Sequence, residues 1–492
     1  MELEAVIGLE IHVQLKTASK MFCSCANIFG TVEPNSAVCP ICMGYPGTLP
    51  VPNGTAIEWT QRAGAALNCE LAADSKFDRK SYFYPDLPKA YQISQLDQPF
   101  CGEGGLDIIV GGERVRVEIE RIHLEEDAAK NTHSEDSSYT LIDYNRAGTP
   151  LMEIVTKPDL RSPEAAKVFL QELQRIMRAL GISDADMEKG QMRCDANISL
   201  REPSSTHLHP KTEIKNINSF RFVAKGLEYE IERQTKLWEA SGPPQEQSTR
   251  GYDAKTGTTI AQRTKEEVAD YRYFPEPDIP SFSFSKQQLA AARAGLPELP
   301  LQHRTRLMRQ YGINDQQAQL LVDNPDLAGF FENTVSEIEQ LDQDEVGITA
   351  TEVKKLVKKA GNMILREVRQ VTDGVPVDEW KVSAANFAEL VVLVFKGVVN
   401  QSAVGQVVAQ MQETGGDPDH IIDNLGLAQV SGDDELTKHV QDVIDANPEV
   451  VEKVKAGKES AIQYLLGQVM ARTKGAANPG EAIKLIQQLI ND

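Results

Sequence analysis

The period of the apolar pattern changes along this chain, and that change limits the folds open to it. Up to about residue 290, apolar residues recur at every second position. Ile7, Leu9, Ile11, Val13 and Leu15 alternate with Gly8, Glu10, His12 and Gln14. A period of two belongs to a half-buried strand, whose successive side chains point to opposite faces. Glu10 and His12 therefore share the polar face. Val115, Val117 and Ile119 alternate with Arg114, Arg116, Glu118 and Glu120, and Arg193, Asp195 and Asn197 with Cys194, Ala196 and Ile198. Helical spacing intervenes at Pro163 to Leu180, opened by Ser162-Pro163-Glu164 as N-cap and first-turn residues, and at Phe222 to Ala240. The pattern predicts an α+β domain around a mainly antiparallel sheet.

A Pro-rich stretch, Phe274-Pro275-Glu276-Pro277 and Ile279-Pro280, ends that pattern. Helical spacing follows at Lys286 to Ala294, Leu301 to Tyr311, Asp315 to Asp323, Thr351 to Val371 and Ala384 to Val399. A further shift at Asn400 to Gly405 opens shorter helices broken by Gly415-Gly416-Asp417-Pro418 and Asn447-Pro448. The expected division is 1–294, 295–404 and 405–492: an α+β domain, an all-α helical domain and an α-helical tail domain. Three domains suit 492 residues, at a prior of ~150 residues each.

The formal charge is −21, from 51 basic and 72 acidic residues. Residues 295–492 hold 18 of the basic and 30 of the acidic residues, so neither half is basic overall. Bare duplex nucleic acid is a poor main partner for such a chain, because affinity for phosphates follows paired Lys and Arg. Clustered basic side chains or another protein chain would be needed to hold RNA. No apolar run approaches the roughly 18 residues of a membrane span; the longest, Leu390 to Phe395, stops at Lys396. Glu2 and Glu4 open a chain start with neither a secretory nor an Arg-rich transit pattern, so no membrane partner and a cytoplasmic location are expected.

Four of the seven cysteines form two short pairs, Cys23-Ser24-Cys25 and Cys39-Pro40-Ile41-Cys42, with 13 residues between them. Each turn can deliver two sulfurs to one tetrahedral ion, and a closed four-sulfur shell is structural rather than catalytic. Clustering of this kind in a cytoplasmic chain favours a metal over disulfides, with zinc expected and iron open. Cys69, Cys101 and Cys194 are isolated and read as core residues.

Acids stand at strand ends in three places: Glu10 beside His12, Glu125 in Ile122-His123-Leu124-Glu125-Glu126-Asp127, and Glu153 after Asn145-Arg146-Ala147-Gly148-Thr149-Pro150. Converging carboxylates would suit a hard cation such as Mg²⁺, which takes oxygen ligands and keeps several waters. Solvated strand carboxylates are the competing reading. Two segments interleave aromatic and basic residues, Phe77 to Asp86 and Asp270 to Pro275. They suit either base stacking with phosphate neutralisation or an aromatic core with Arg and Lys reaching outward. Neither a Walker-type phosphate loop nor the protein-kinase motif set is present.

Several of these segments carry a family resemblance: Val6-Ile-Gly-Leu-Glu-Ile-His-Val-Gln-Leu15, Phe77-Asp-Arg-Lys-Ser-Tyr-Phe-Tyr-Pro-Asp86, Lys89-Ala-Tyr-Gln-Ile-Ser94, Asn145-Arg-Ala-Gly-Thr-Pro-Leu151, Arg193-Cys-Asp-Ala-Asn-Ile-Ser199, Tyr271-Arg-Tyr-Phe-Pro-Glu-Pro-Asp278 and Lys474-Gly-Ala-Ala-Asn-Pro479. Along its whole length the chain resembles the B subunits of aspartyl/glutamyl-tRNA amidotransferases. The resemblance implies ATP-dependent phosphorylation of the side-chain carboxylate of Glu-tRNA(Gln), Asp-tRNA(Asn) or both. Ammonia, released from glutamine on the glutaminase A subunits of such enzymes, would then displace the phosphate, with small C subunits completing the heterotrimers. It implies a cradle domain related to glutamine synthetase and a helical tail that grips tRNA. By the same resemblance, Glu10, His12, Glu125 and Glu153 match magnesium-binding positions and Lys80 lies in a nucleotide-facing loop. A non-catalytic tRNA-binding scaffold and an ATP-independent metal hydrolase are the rival readings.

Overall fold

The computed structural model describes residues 3–30, 32–134, 138–264, 270–341, 347–428, 433–455, 459–473, 477 and 479–491. They form two compact units, 1–301 and 302–492.

The first unit is organised by the predicted alternation. Besides two short two-stranded ribbons, its strands are β1 (Glu4–Gln14), β2 (Asp78–Ser81), β3 (Tyr91–Ser94), β4 (Gly104–Val110), β5 (Glu113–Glu126), β6 (Pro150–Thr156), β7 (Met192–Arg201), β8 (Thr212–Lys215), β9 (Ser248–Asp253), β10 (Thr258–Thr264) and β11 (Phe274–Pro275). Eight of them form one sheet in the order β10-β9-β8-β7-β1-β6-β5-β4, and β11-β2-β3 form a small second sheet. Every pair in the large sheet is antiparallel except β8 with β9. A parallel pair needs a crossover, supplied here by helix α3 (Phe220–Ser241). Helices α1 (Gly54–Ala66) and α2 (Pro163–Ala179) complete the unit's main elements.

One face of the large sheet is apolar. Ile7, Leu9, Ile11 and Val13 of β1 join Ile122, Leu124, Met152, Ile154, Ala196 and Ile198 in a buried cluster with Phe169, Leu173 and Met177 of α2 and Val223 and Leu227 of α3. Each fully buried Ile, Leu, Phe or Met contributes about 1.5–3 kcal/mol, so this face holds the helices to the sheet. The opposite face carries Glu10, His12, Arg193, Asp195 and Asn197, as the period of two requires. Ser162 caps α2 by accepting from Ala165 N, with Pro163 in the first turn. Ser219 caps α3 in the same way, which starts that helix at Phe220, two residues before the apolar spacing shows it.

The second unit is helical. One buried cluster runs from Leu307 to Leu427 and another from Leu436 to Ile490. The helix Ala350–Met363 continues through a π turn, Ile364–Val368, into Arg369–Thr372. The helix Ala384–Lys396 stops where Gly397 turns left-handed at φ 77°, three residues short of Val399, because glycine takes that conformation without a side-chain clash. Among the described residues, no helix is long and apolar enough to cross a membrane.

Candidate functional site

The polar face of the sheet brings separated residues together through strand register. His12 of β1 lies opposite Glu153 of β6, and Glu153 lies opposite His123 of β5. Directly opposed residues share a face, so His12, Glu153 and His123 form a row across three strands. Glu125, two residues beyond His123, returns to the same face. His12 Nε2 is 3.2 Å from Glu153 Oε2 and 3.9 Å from Glu125 Oε1. His123 Nε2 is 3.2 Å from Glu153 Oε2 and 3.7 Å from Glu125 Oε2. One ligand atom each from His12, Glu125 and Glu153 lies within 4.8 Å of the others. Ser94 Oγ donates to Glu125 Oε2 at 2.9 Å, which fixes that carboxylate.

Burial by itself would raise both carboxyl groups, but His123 outweighs it at Glu125, and His123 with His12 at Glu153. Both are held below the usual carboxylate range, Glu153 well below it. Burial would likewise lower the imidazoles. Glu153 and Glu125 reverse this, raising His12 and holding His123 up at about 9. Lys80 is also raised: Glu125 is the largest influence opposing its burial. Without a bound ion, the two buried carboxylates are offset by the imidazoles and by Lys80. His123 Nδ1 is buried without a hydrogen-bond partner among the described residues. One imidazole nitrogen and two carboxylates within a few ångströms are donors that fit a divalent cation retaining open positions.

Glu10 stands apart from the three. In β1–β6 register it faces Val155, not an acid. Its Oε1 accepts from Asn197 Nδ2 at 2.9 Å and lies 3.8 Å from Lys211 Nζ. It lines a cavity of 570 Å³ that Arg121, Thr156, Asn197, Ser199 and Lys211 also line. Glu126 and Asp127 are engaged by other partners. Glu126 is tied to Lys89 Nζ at 2.6 Å and to Ile93 N at 3.0 Å. Asp127 accepts from Gln14 Nε2 at 2.7 Å and from Arg193, and Arg146 Nε is 3.6 Å away. His123 and Arg193 stood inside quoted motifs without a role; their place here depends on register, which no single segment carries.

The two aromatic–basic segments meet. Arg79 of β2 pairs with Phe274 of β11, lies 4.3 Å from the Tyr91 ring centroid and grips Glu276 at 2.7 and 2.9 Å. Arg79 is therefore a structural clamp. Lys80 turns the other way, its ammonium 5.0 Å from the Tyr271 ring centroid.

The cysteine pairs also come together. One sulfur from each of Cys23, Cys25, Cys39 and Cys42 lies within 4.8 Å of the others. Cys39 N donates to Cys42 Sγ at 3.2 Å. The hydrogen bond with Cys23 lowers the Cys42 thiol to about 5, while burial pushes Cys25 up to about 11. Four sulfurs held this close together fit a tetrahedral thiophilic ion. Cys69, Cys101 and Cys194 are buried singly in the core.

Residues 5–290 match the family model described as the GatB/GatE catalytic domain, and residues 344–490 that of the GatB domain. Curated relatives, each named as the B subunit of an aspartyl/glutamyl-tRNA(Asn/Gln) amidotransferase, are similar from end to end. The relative from Thermodesulfovibrio yellowstonii is 44% identical over 490 residues, covering 100% of this chain and 99% of the relative. The relative from Persephonella marina is 45% identical over 490 residues, covering 100% of both. That from Dehalococcoides mccartyi is 44% identical over 498 residues, covering 99% of both.

Proposed function

Since the chain belongs to the family of aspartyl/glutamyl-tRNA(Asn/Gln) amidotransferase B subunits, we propose that it carries the activating and amidating site of a tRNA-dependent amidotransferase. The observation that supports this best is the His12–Glu153–His123 row with Glu125, set on the polar face of the sheet beside a 570 Å³ cavity. In this reading ATP phosphorylates the side-chain carboxylate of Glu-tRNA(Gln), Asp-tRNA(Asn) or both. An ionised carboxylate repels nucleophiles and lacks a leaving group; an acyl phosphate removes both obstacles. Ammonia then expels phosphate. It comes from glutamine hydrolysed on the glutaminase A subunit, in a heterotrimer completed by the small C subunit.

His12, Glu125 and Glu153 would hold Mg²⁺, which neutralises charge on the transferred phosphoryl group when bound. Ser94 keeps Glu125 in place, and His123 sets the orientation of Glu153. Glu10, two residues or about 6.6 Å of strand from His12, would belong to the same magnesium set, and it borders the cavity. Lys80 offers a cation to ATP phosphate oxygens. Cys23, Cys25, Cys39 and Cys42 hold zinc as a structural ion.

In the proposed division, residues 1–294 perform the chemistry, 295–404 connect, and 405–492 hold tRNA. Lys453 and Lys455 are exposed at the end of the helix Pro448–Lys455. Arg472 is paired with Asp442; Lys458 and Lys474 lie outside the described residues. Deleting the tail should raise the KM for tRNA and flatten its salt dependence, because phosphate contacts position without doing chemistry. Activation should persist at saturating tRNA.

The test is ATP turnover by the assembled complex with Glu-tRNA(Gln). Dependence of ADP formation on aminoacylated tRNA, lost when Glu125 is replaced, supports the reading. Turnover that persists without the Glu125 carboxylate, with this chain needed only to bind tRNA, indicates the scaffold; ester cleavage without nucleotide indicates a hydrolase.

A further inference from the structure

Lys20 is fully buried, which is costly for an ammonium group unless charge or hydrogen bonds compensate it. Its Nζ donates to the Tyr144 carbonyl at 3.3 Å and lies 3.9 Å from Cys42 Sγ. Its stem crosses Gly148, where an added Cβ would come within 3.4 Å of Lys20 Cδ. The turn from Tyr144 to Thr149 is stitched on both sides. Met21 N donates to Gly148 O at 2.7 Å, Gly148 N to Asp127 O at 2.9 Å, and Asp127 N to Thr149 O at 2.8 Å. The Asn145 side chain also binds the loop between the cysteine pairs, accepting from Ala37 N and donating to Glu33 O, both at 2.8 Å. The cysteine cluster and the strand end that carries Glu125 are therefore joined through this one turn.

Four thiolates around a divalent ion leave net negative charge in a buried setting. The metal-free cluster, protonated at most of its sulfurs, carries less. An ammonium beside Cys42 thus favours the loaded state over the empty one. We propose that Lys20 is the counter-ion of the metal-loaded cysteine cluster, and that it ties Cys42 to the turn Tyr144 to Thr149. This rests on the reading of the four cysteines as a zinc site.

The test uses the full chain and cobalt(II) as the probe, with the thiolate-to-cobalt absorption bands as the signal and zinc displacing cobalt in competition. The wild type should give bands of four-thiolate coordination. Lys20→Met should bind both metals on the order of 10- to 100-fold more weakly, as expected for loss of a partner outside the ligands themselves, with the bands themselves unchanged. Lys20→Gln keeps a donor for Tyr144 but loses the charge, and is less disruptive to folding. It should show the same weakening. Wild-type metal affinity in folded Lys20→Gln overturns the counter-ion role, whatever Lys20→Met does. A wild type that takes up no thiolate-bound metal overturns the zinc reading itself, and Lys20's role with it.

Discussion

His12 and Glu153 face each other across neighbouring antiparallel strands, with Nε2 3.2 Å from Oε2. Each lies where it does because a core residue on either side, Ile11 or Val13 and Met152 or Ile154, fixes the face on which it emerges. The pair can act as ion pair or as adjoining metal ligands. Titrating the protein with Mn²⁺, followed by its magnetic resonance signal, should show one site. Glu153→Gln should weaken it on the order of tenfold or more, since a charged ligand is lost from a hard-cation site. Equal Mn²⁺ affinity in wild type and variant would remove the metal assignment.

Zinc analysis of the purified chain should give about one equivalent, and Cys25→Ser should reduce it. Metal binding is coupled to folding of the loop that carries its ligands. The loss should lower stability, because a structural ion contributes folding energy that the three remaining sulfurs cannot fully retain. Glutamine hydrolysis by the proposed glutaminase subunit should be untouched. Full stability in a zinc-free protein would contradict a structural ion.

Gly44 follows the second cysteine pair at φ +68°, and a Cβ there would lie 2.5 Å from Lys89 Cγ and 3.1 Å from its Cα. Gly44→Ala must strain its backbone and displace the lysine that pairs with buried Glu126. A cost of about 1–3 kcal/mol is expected from these two effects together. Chemical denaturation would reveal it, and an unchanged midpoint would show that the turn relaxes freely.

Glu230 of α3 is fully buried and bound by Arg233, Arg250, Gln234 and Thr259. Burial would raise its carboxyl, but the partners, Arg233 foremost, hold it below the ordinary value. A carboxyl depressed in the folded state stabilises above its unfolded value and loses that contribution as pH falls through the folded one. Glu230→Gln should cost about 1–3 kcal/mol at pH 7 by leaving the half-buried Arg233 and Arg250 without their charged partner. It should also flatten the decline of Tm below about pH 4.5. Parallel acid profiles for the two proteins would show that Glu230 does not govern this limb.

Local patterns carried part of this structure and not the rest. That Glu10 and His12 share a face followed from alternation in β1, and the cysteine cluster followed from two short turns. That Glu153 meets both His12 and His123 depends on the register of three strands distant in sequence. In the sequence the grouping of Glu153 with His12 is available only through the resemblance, and His123 stands in its strand-end motif without a role. Glu10 shows the complementary limit: it occupies the right face but meets Asn197 and Lys211. Helix α1 was missed because Gly54, Gly64 and a series of alanines give little apolar contrast. Its start rests on the Asn53 cap, which accepts from Ala56 N. The helix Pro325–Gln340 was likewise passed over, although Pro325 in its first turn is a start signal.

In the proposed reaction His12, Glu125 and Glu153 serve activation of the side-chain carboxylate of a tRNA-bound amino acid. Transfer of labelled γ-phosphate from ATP to Glu-tRNA(Gln) by the assembled complex, without glutamine or ammonia, measures this step alone. Wild type should form the labelled acyl phosphate. Glu125→Gln should reduce the rate on the order of 10²-fold or more, as for removal of a preorganised charge-stabilising group, while tRNA binding and glutamine hydrolysis persist. Acyl phosphate formed at the wild-type rate by Glu125→Gln, Glu153→Gln and His12→Ala alike would contradict the account.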